Sequence, residues 1–151
     1  MKSLVVTLLC ASIALCANVR AADADQRNRQ FQKAEALYLS GRLPEASASF
    51  AELTRKYPDD ARIWFKYGNA LTKQMSFNEA ATAFENAIRL DATQGAAALN
   101  LALVRLAQAQ ASLDVAVARL APDAQEHAQA EAIRTQLHTL LGVPDRETKS
   151  R

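Results

Sequence analysis

The chain is 151 residues long, room for one domain of ordinary size and none for a multidomain enzyme. Half of its residues are hydrophobic and 23% are charged, which excludes wholesale disorder; 4 Gly and 4 Pro are too few for the turns of a β-sandwich or barrel, so the composition is that of an all-α protein. The formal charge of +2 includes Lys2 and Arg20: without the segment 1–21, which holds no acidic group, sixteen basic residues face sixteen acidic ones, and no Lys/Arg block remains to mark a nucleic-acid partner.

The first element reads as an export signal. Lys2 gives a positive start, Leu4 to Leu15 an apolar run, and small residues follow from Ala17 to Ala24. The run is short for a bilayer span. Residues 1–21 are therefore read as a signal peptide cleaved after Ala21, with cleavage after Ala24 as the alternative, and residues 22–26 as a short linker. Two other readings stay open: an uncleaved inner-membrane anchor, and a lipoprotein acylated at Cys16. The segment Ile13-Ala14-Leu15-Cys16 resembles a lipobox, but bulky Leu15 stands where that pattern has Gly, Ala or Ser. Cys10 and Cys16 are the two cysteines and both lie in the signal, so the mature chain would have neither a disulfide nor a thiolate nucleophile. Signal style and cysteine usage together suit a bacterial periplasm.

Beyond the signal the chain repeats itself. Residues 61–94 carry Trp64, Gly68, Ala80, Phe84 and Ala87; one period earlier, residues 27–60 carry Ala34, Ala46, Phe50 and Pro58 at the matching places. This spacing resembles the tetratricopeptide repeat (TPR) family. The physical reading agrees: two helices cross closely where the small residues meet, Ala34 with Ala46 and Gly68 with Ala80, while Phe50, Trp64 and Phe84 fill the flanks. Punctuation fits as well. Ser40-Gly41 ends one helix, Pro44 sits in the first turn of the next, Pro58-Asp59-Asp60 closes the repeat, and Ser76 with Glu79 is expected to form a capping box. The departures are Tyr67 for the family's Leu, Leu71 for its Tyr and Ala92 for its Pro.

Leu101 and Ala102 match the start of a third repeat, and the match fades near Arg105. Instead Leu99, Leu103, Leu106, Gln110, Leu113, Val117 and Leu120 form a heptad stripe on one helix from Ala96 to Leu120, stopped by Pro122. A last helix from Asp123 to Leu141 carries Ala130, Ile133, Leu137 and Leu140 before Gly142 and Pro144. Residues 95–141 thus read as a degenerate third repeat folded into an antiparallel hairpin, with 142–151 as a flexible tail; a break near Ala109 to Ser112 would make seven helices instead of six. The expected fold is an all-α, TPR-type helical solenoid of two full repeats capped by this long hairpin.

The resemblance implies a concave groove, lined by the first helix of each repeat, that holds a peptide or helix of a protein partner. Its groove positions fall on Asn28, Phe31, Glu35, Tyr38 and Leu39, then on Arg62, Phe65, Asn69, Thr72 and Lys73. Of these, Phe31, Glu35, Tyr38, Arg62, Phe65, Asn69 and Lys73 are the expected partner-binding residues, the aromatics as anchors and Arg62, Asn69 and Lys73 as holders of backbone or carboxylate groups. Phe31 and Phe65 are equally compatible with plain core packing. Asn69 and Asn100 match two positions of the carboxylate-clamp TPR domains, which bind the C-terminal tails of cytosolic chaperones. The clamp's lysine is Phe65 here and its last basic residues have no counterpart, so an apolar or aromatic segment is the expected occupant.

Leu99, Leu103 and Leu106 continue the groove positions and also begin the heptad stripe. The last helix is therefore expected to close that end and leave the half from Phe31 to Lys73 open. His127 and His138, with Glu131 between them, share one helix face but lack an evident third ligand, and no phosphate loop or nucleophile motif is present. No metal, cofactor or catalytic residue is expected. The functional expectation is an exported adaptor within a cell-envelope assembly, a monomer or weak homodimer with no membrane span after signal cleavage; the alternative is a structural, self-associating subunit that uses the solenoid end or the hairpin.

Overall fold

In the computed structural model, the backbone is described for residues 2–93 and 95–141 and the side chains for 20–93 and 95–140. The apolar run and Cys16 fall outside the described side chains; Gly142, Pro144 and the 142–151 tail fall outside the described residues. Six helices and no strand appear among the described residues: α1 (Lys2–Leu39), α2 (Leu43–Lys56), α3 (Ala61–Lys73), α4 (Phe77–Leu90), α5 (Gly95–Arg119) and α6 (Gln125–Leu141). Each packs chiefly on its neighbours in sequence, which is the organisation of a helical solenoid. The chain stays one helix through Ala109 to Ser112.

The repeat period of the sequence is written into the hydrogen bonds of the turns. The Arg42 amide donates to Leu37 O and, one period on, the Ser76 amide to Leu71 O, both at 3.0 Å; Gly41 to Tyr38 O is repeated by Met75 to Thr72 O at 3.1 and 3.0 Å. These wrap the last turn of α1 and of α3 in the same way and need a left-handed residue after it. Gly41 supplies it at φ 77° in the first repeat, and Met75 at φ 61° in the second.

Helix starts differ more. Pro44 stands in the first turn of α2, where a missing N–H costs nothing. Asp60 caps α3 by accepting from the Arg62 amide at 3.1 Å. The capping box expected of Ser76 and Glu79 is not made: Ser76 is the N-cap of α4, but its side chain makes no cap hydrogen bond. Its ψ of 66° falls short of the extended conformation that aims a hydroxyl at the first-turn amides.

Two apolar clusters fill the solenoid. Phe31, Ala34, Phe50, Leu53, Ile63 and Ala70 join α1, α2 and α3; Leu71, Ala80, Phe84, Ala87, Ala97 and Val104 are among those joining α3, α4 and α5. Tyr67, one of the departures from the family pattern, packs against both. Gly68 is required by its neighbour, since a Cβ there would lie 2.6 Å from the buried Phe84 ring. Trp64 donates from Nε1 to Pro58 O at 2.8 Å and ties the repeat boundary to α3.

Two expectations change at the ends of the chain. Residues 22–26, read as a linker, are helical within α1; the Tyr57 hydroxyl donates to Asp23 at 3.1 Å, and Arg27 pairs with Asp60 at 3.7 Å, so the extension is tied to the first repeat boundary. The heptad stripe of α5 splits. Its N-terminal half turns Ala97, Leu101 and Val104 onto the second cluster, leaving Leu99 and Leu103 exposed, while Leu106, Gln110, Leu113, Val117 and Leu120 are half-buried. From α6, Ala130 and Leu137 are buried, and Ile133 and Leu140 are not.

Candidate partner-binding groove

The first helices of the successive units, α1, α3 and α5, form the wall on which the expected groove residues fall. What covers each residue is decided by the next helix along. The Arg62 guanidinium lies over the Phe31 ring at 4.2 Å, Lys66 pairs with Glu35 at 2.5 Å, and the Lys73 ammonium sits 5.2 Å from the Tyr38 ring centre. Between α3 and α5 the corresponding polar contact among the described residues is a hydrogen bond from Asn100 Nδ2 to Asn69 Oδ1, 2.7 Å. Glu35 to Lys66 and Asn69 to Asn100 are the same rung, with the same separation along the chain in both cases.

This rule places every predicted residue. Phe31 is core: it is only 5% exposed, packed edge-on against Phe50 with ring centres 5.9 Å apart. Phe65 is half-buried and leans on Phe84 at 6.1 Å, because its follower at the rung position is the short Ala96 rather than another arginine. Asn28 and Leu39 are exposed, and Thr72 bonds back to Gly68 O at 2.8 Å. Leu99 and Leu103, which hold the same two repeat positions as Phe65 and Asn69, lie beyond the reach of α6 and remain 61% and 49% exposed.

The expected closure of that end by the last helix does not occur, and the register explains why. Gln110 meets His138 at 3.1 Å, and Asp114 meets Arg134 at 3.8 Å, so four residues forward on α5 are four residues back on α6. At that antiparallel pairing Leu141 comes opposite residue 107. A 17-residue α6 against a 25-residue α5 therefore stops short of Leu103 and Leu99. The half between α1 and α3 is the self-occupied one, and the half between α3 and α5 is open.

The charge of the wall is one-sided. Arg62, Lys66 and Lys73 recur on one face of α3; facing them are Glu35 and Asp60, the latter shared with Arg27 and with the cap of α3. From Gly95 to Val104, α5 carries no charge, and Arg105 is held by Glu85 at 2.5 Å. A cleft of about 640 Å³ at the repeat boundaries is lined by Arg27, Tyr57, Asp60, Arg62 and Asp91 among others, where both signs are present. Of the ligand-type side chains of α6, Glu131 pairs with Arg134 at 2.7 Å and His138 meets Gln110.

Lys66, paired with Glu35, is the wall residue that pattern reading missed. The signal was available, since the step from Asn69 to Asn100, moved back one repeat, leads from Glu35 to Lys66.

Comparison with known proteins agrees with this architecture. Among solved structures the chain is similar to the TPR2B-domain:pHsp70 complex of yeast Sti1, at 21% sequence identity and a TM-score of 0.53, covering 76% of this chain and 97% of that one. No curated protein matches it significantly. Residues 27–70 match the tetratricopeptide repeat family model, and two helical hairpins follow one another in register from one repeat to the next.

Proposed function

We propose that this chain is an exported, non-catalytic interaction module that holds a segment of a protein partner on its concave wall. The observation that carries the reading is the open half of the wall: Phe65 half-buried, Leu99 and Leu103 exposed. Apolar side chains on a rigid scaffold, rimmed by polar groups, are what a docking site requires. The neighbour of similar fold is a TPR domain in complex with pHsp70, which supports a peptide-binding use of such walls. Export rests on the N-terminal signal read from the sequence.

A second reading has its own support. Helix α5 is long and apolar enough to cross a membrane by length and composition, and Val115, Ile133 and Leu140 are exposed on the hairpin. The packing of Ala97, Leu101 and Val104 on α4 favours a place in the repeat stack over a membrane span, which leaves self-association through the hairpin as the alternative function.

The test is a pull-down from envelope extract with the wild-type chain and a Leu99→Ser/Leu103→Ser variant, beside sedimentation equilibrium of both. A monomer that loses one specific partner in the variant supports the groove. A concentration-dependent dimer abolished by Ile133→Ser/Leu140→Ser, with partners unchanged by the groove variant, supports self-association. Sequencing the N-terminus of the periplasmic form tests export: Ala22 is expected as the first residue, and a full-length membrane form would overturn it.

A further inference from the structure

We infer that one edge of the hairpin of α5 and α6 is a self-association surface, against which a second copy of this chain packs the same edge to close a four-helix bundle. This gives the self-association reading a surface and a geometry and rests on it. Leu99 and Leu103 lie nearer the start of α5, so the groove reading is independent.

The two edges of the hairpin differ. Gln110 with His138 and Asp114 with Arg134 bridge α5 and α6 along one of them. At about 100° per residue, Leu106, Leu113 and Leu120 stand across the contact line of α5 from Asp114, and Ile133 and Leu140 stand across buried Ala130 and Leu137 from Arg134. In an antiparallel pair those two sides form a single edge. It is apolar and unfilled: Ile133 is 45% and Leu140 82% exposed, and the three leucines of α5 are half-buried. Helix α4 does not reach it. Its residues pack on Ala97, Leu101 and Val104, and its start meets α5 where Gln108 donates to Asn78 at 2.6 Å, so beyond that point, among the described residues, the hairpin has only itself to pack on.

Two features select a second copy as the occupant. Along α5 the edge alternates Leu106, Ala109, Leu113, Ala116 and Leu120 at steps of three and four, an uncharged heptad seam in a chain that is 23% charged. The hairpin register sets Gln110 level with His138 and Asp114 level with Arg134. With two hairpins related by a two-fold axis along the bundle, each α5 lies beside the α6 of the other copy at the same level. Leu140 of the second copy then falls between Leu106 and Ala109, and its Ile133 between Leu113 and Ala116. Each exposed aliphatic enters the space beside an alanine, so the edge is complementary to itself. The charges at the rim agree. The same arrangement brings exposed Arg119 within about one turn of exposed Glu126 of the second copy, twice by symmetry. The seam spans roughly 20 Å, about four turns, which places the interface at the small end of specific association and its dissociation constant in the micromolar range.

The experiment is sedimentation equilibrium of the purified chain over about 1–200 μM, for wild type, Ile133→Ser/Leu140→Ser, Arg119→Glu, Glu126→Arg and Leu99→Ser/Leu103→Ser, each checked by circular dichroism to be folded. Wild type and the Leu99/Leu103 variant are expected to dimerise alike, the Ile133/Leu140 variant at least about tenfold more weakly, and each charge variant roughly threefold more weakly. An equimolar mixture of the Arg119→Glu and Glu126→Arg chains is expected to regain the wild-type association, because the mixed dimer restores both ion pairs while each variant alone opposes like charges. A wild type that stays monomeric throughout overturns self-association itself. A dimer indifferent to Ile133→Ser/Leu140→Ser, or lost in the Leu99/Leu103 variant, overturns this surface while self-association stands. Charge variants that do not recombine on mixing overturn the two-fold arrangement.

Discussion

The two repeats obey one template and place their glycine differently. In the first, Gly41 takes the left-handed turn position and Ala34 the helix crossing; in the second, Gly68 takes the crossing and Met75, 73% exposed, is forced into the left-handed turn. The hydrogen bonds around both turns are nonetheless the same. The repeat geometry is thus fixed by the packing of whole helices, and a locally unfavourable residue is carried along at a cost of about 1 kcal/mol for its positive φ. The walls differ in the same manner: among the described residues three ion-pair or cation–ring contacts close α1 onto α3, whereas one side-chain hydrogen bond joins α3 to α5.

Substitutions can break or sharpen this contrast. The largest effect is expected at the closed wall: Phe31→Ala should cost about 3–4 kcal/mol, because the ring is buried against Phe50, while Leu99→Ala, the same position two repeats later, should cost under about 0.5 kcal/mol. Urea denaturation of the two variants measures the difference directly, and equal losses would mean that the open half is covered after all. Next comes Gly68→Ala, expected to destabilise by about 2 kcal/mol net: the new methyl would press on a fully buried ring, which outweighs the gain in helix propensity.

The turns reverse the sign. Met75→Gly should stabilise by up to about 1 kcal/mol and Gly41→Ala destabilise by a similar amount, shifts of roughly 2–4 °C in melting temperature, since Gly41 has open space for a Cβ but an unfavourable φ for it. The smallest effect is the rung itself. Replacing Lys66 by Met should change stability by less than about 1 kcal/mol, as expected for a one-third-exposed pair, and a larger loss in denaturation would make the rung a structural tie rather than a recognition surface.

The repeats and the six-helix count were legible because they are properties of local spacing: Ala34, Ala46, Gly68 and Ala80 are small and buried, and the pattern returns once per repeat, whereas the neighbour that requires Gly68, the Phe84 ring, was not foreseen. The groove was legible by position and not by exposure. Phe31, Phe65 and Leu99 occupy one repeat position, yet one is core, one half-buried and one open, because each depends for cover on a residue of the following unit that pattern matching does not weigh.

The amino-acid sequence by itself determined the helices, their period and the cluster of cations on α3, since all three follow from side-chain size, turn chemistry and spacing along a single helix. Only the tertiary structure decided which half of the wall stays open. That depends on the antiparallel register of α6 on α5 and on its length, and a heptad stripe states that a face is apolar without stating how far its partner reaches.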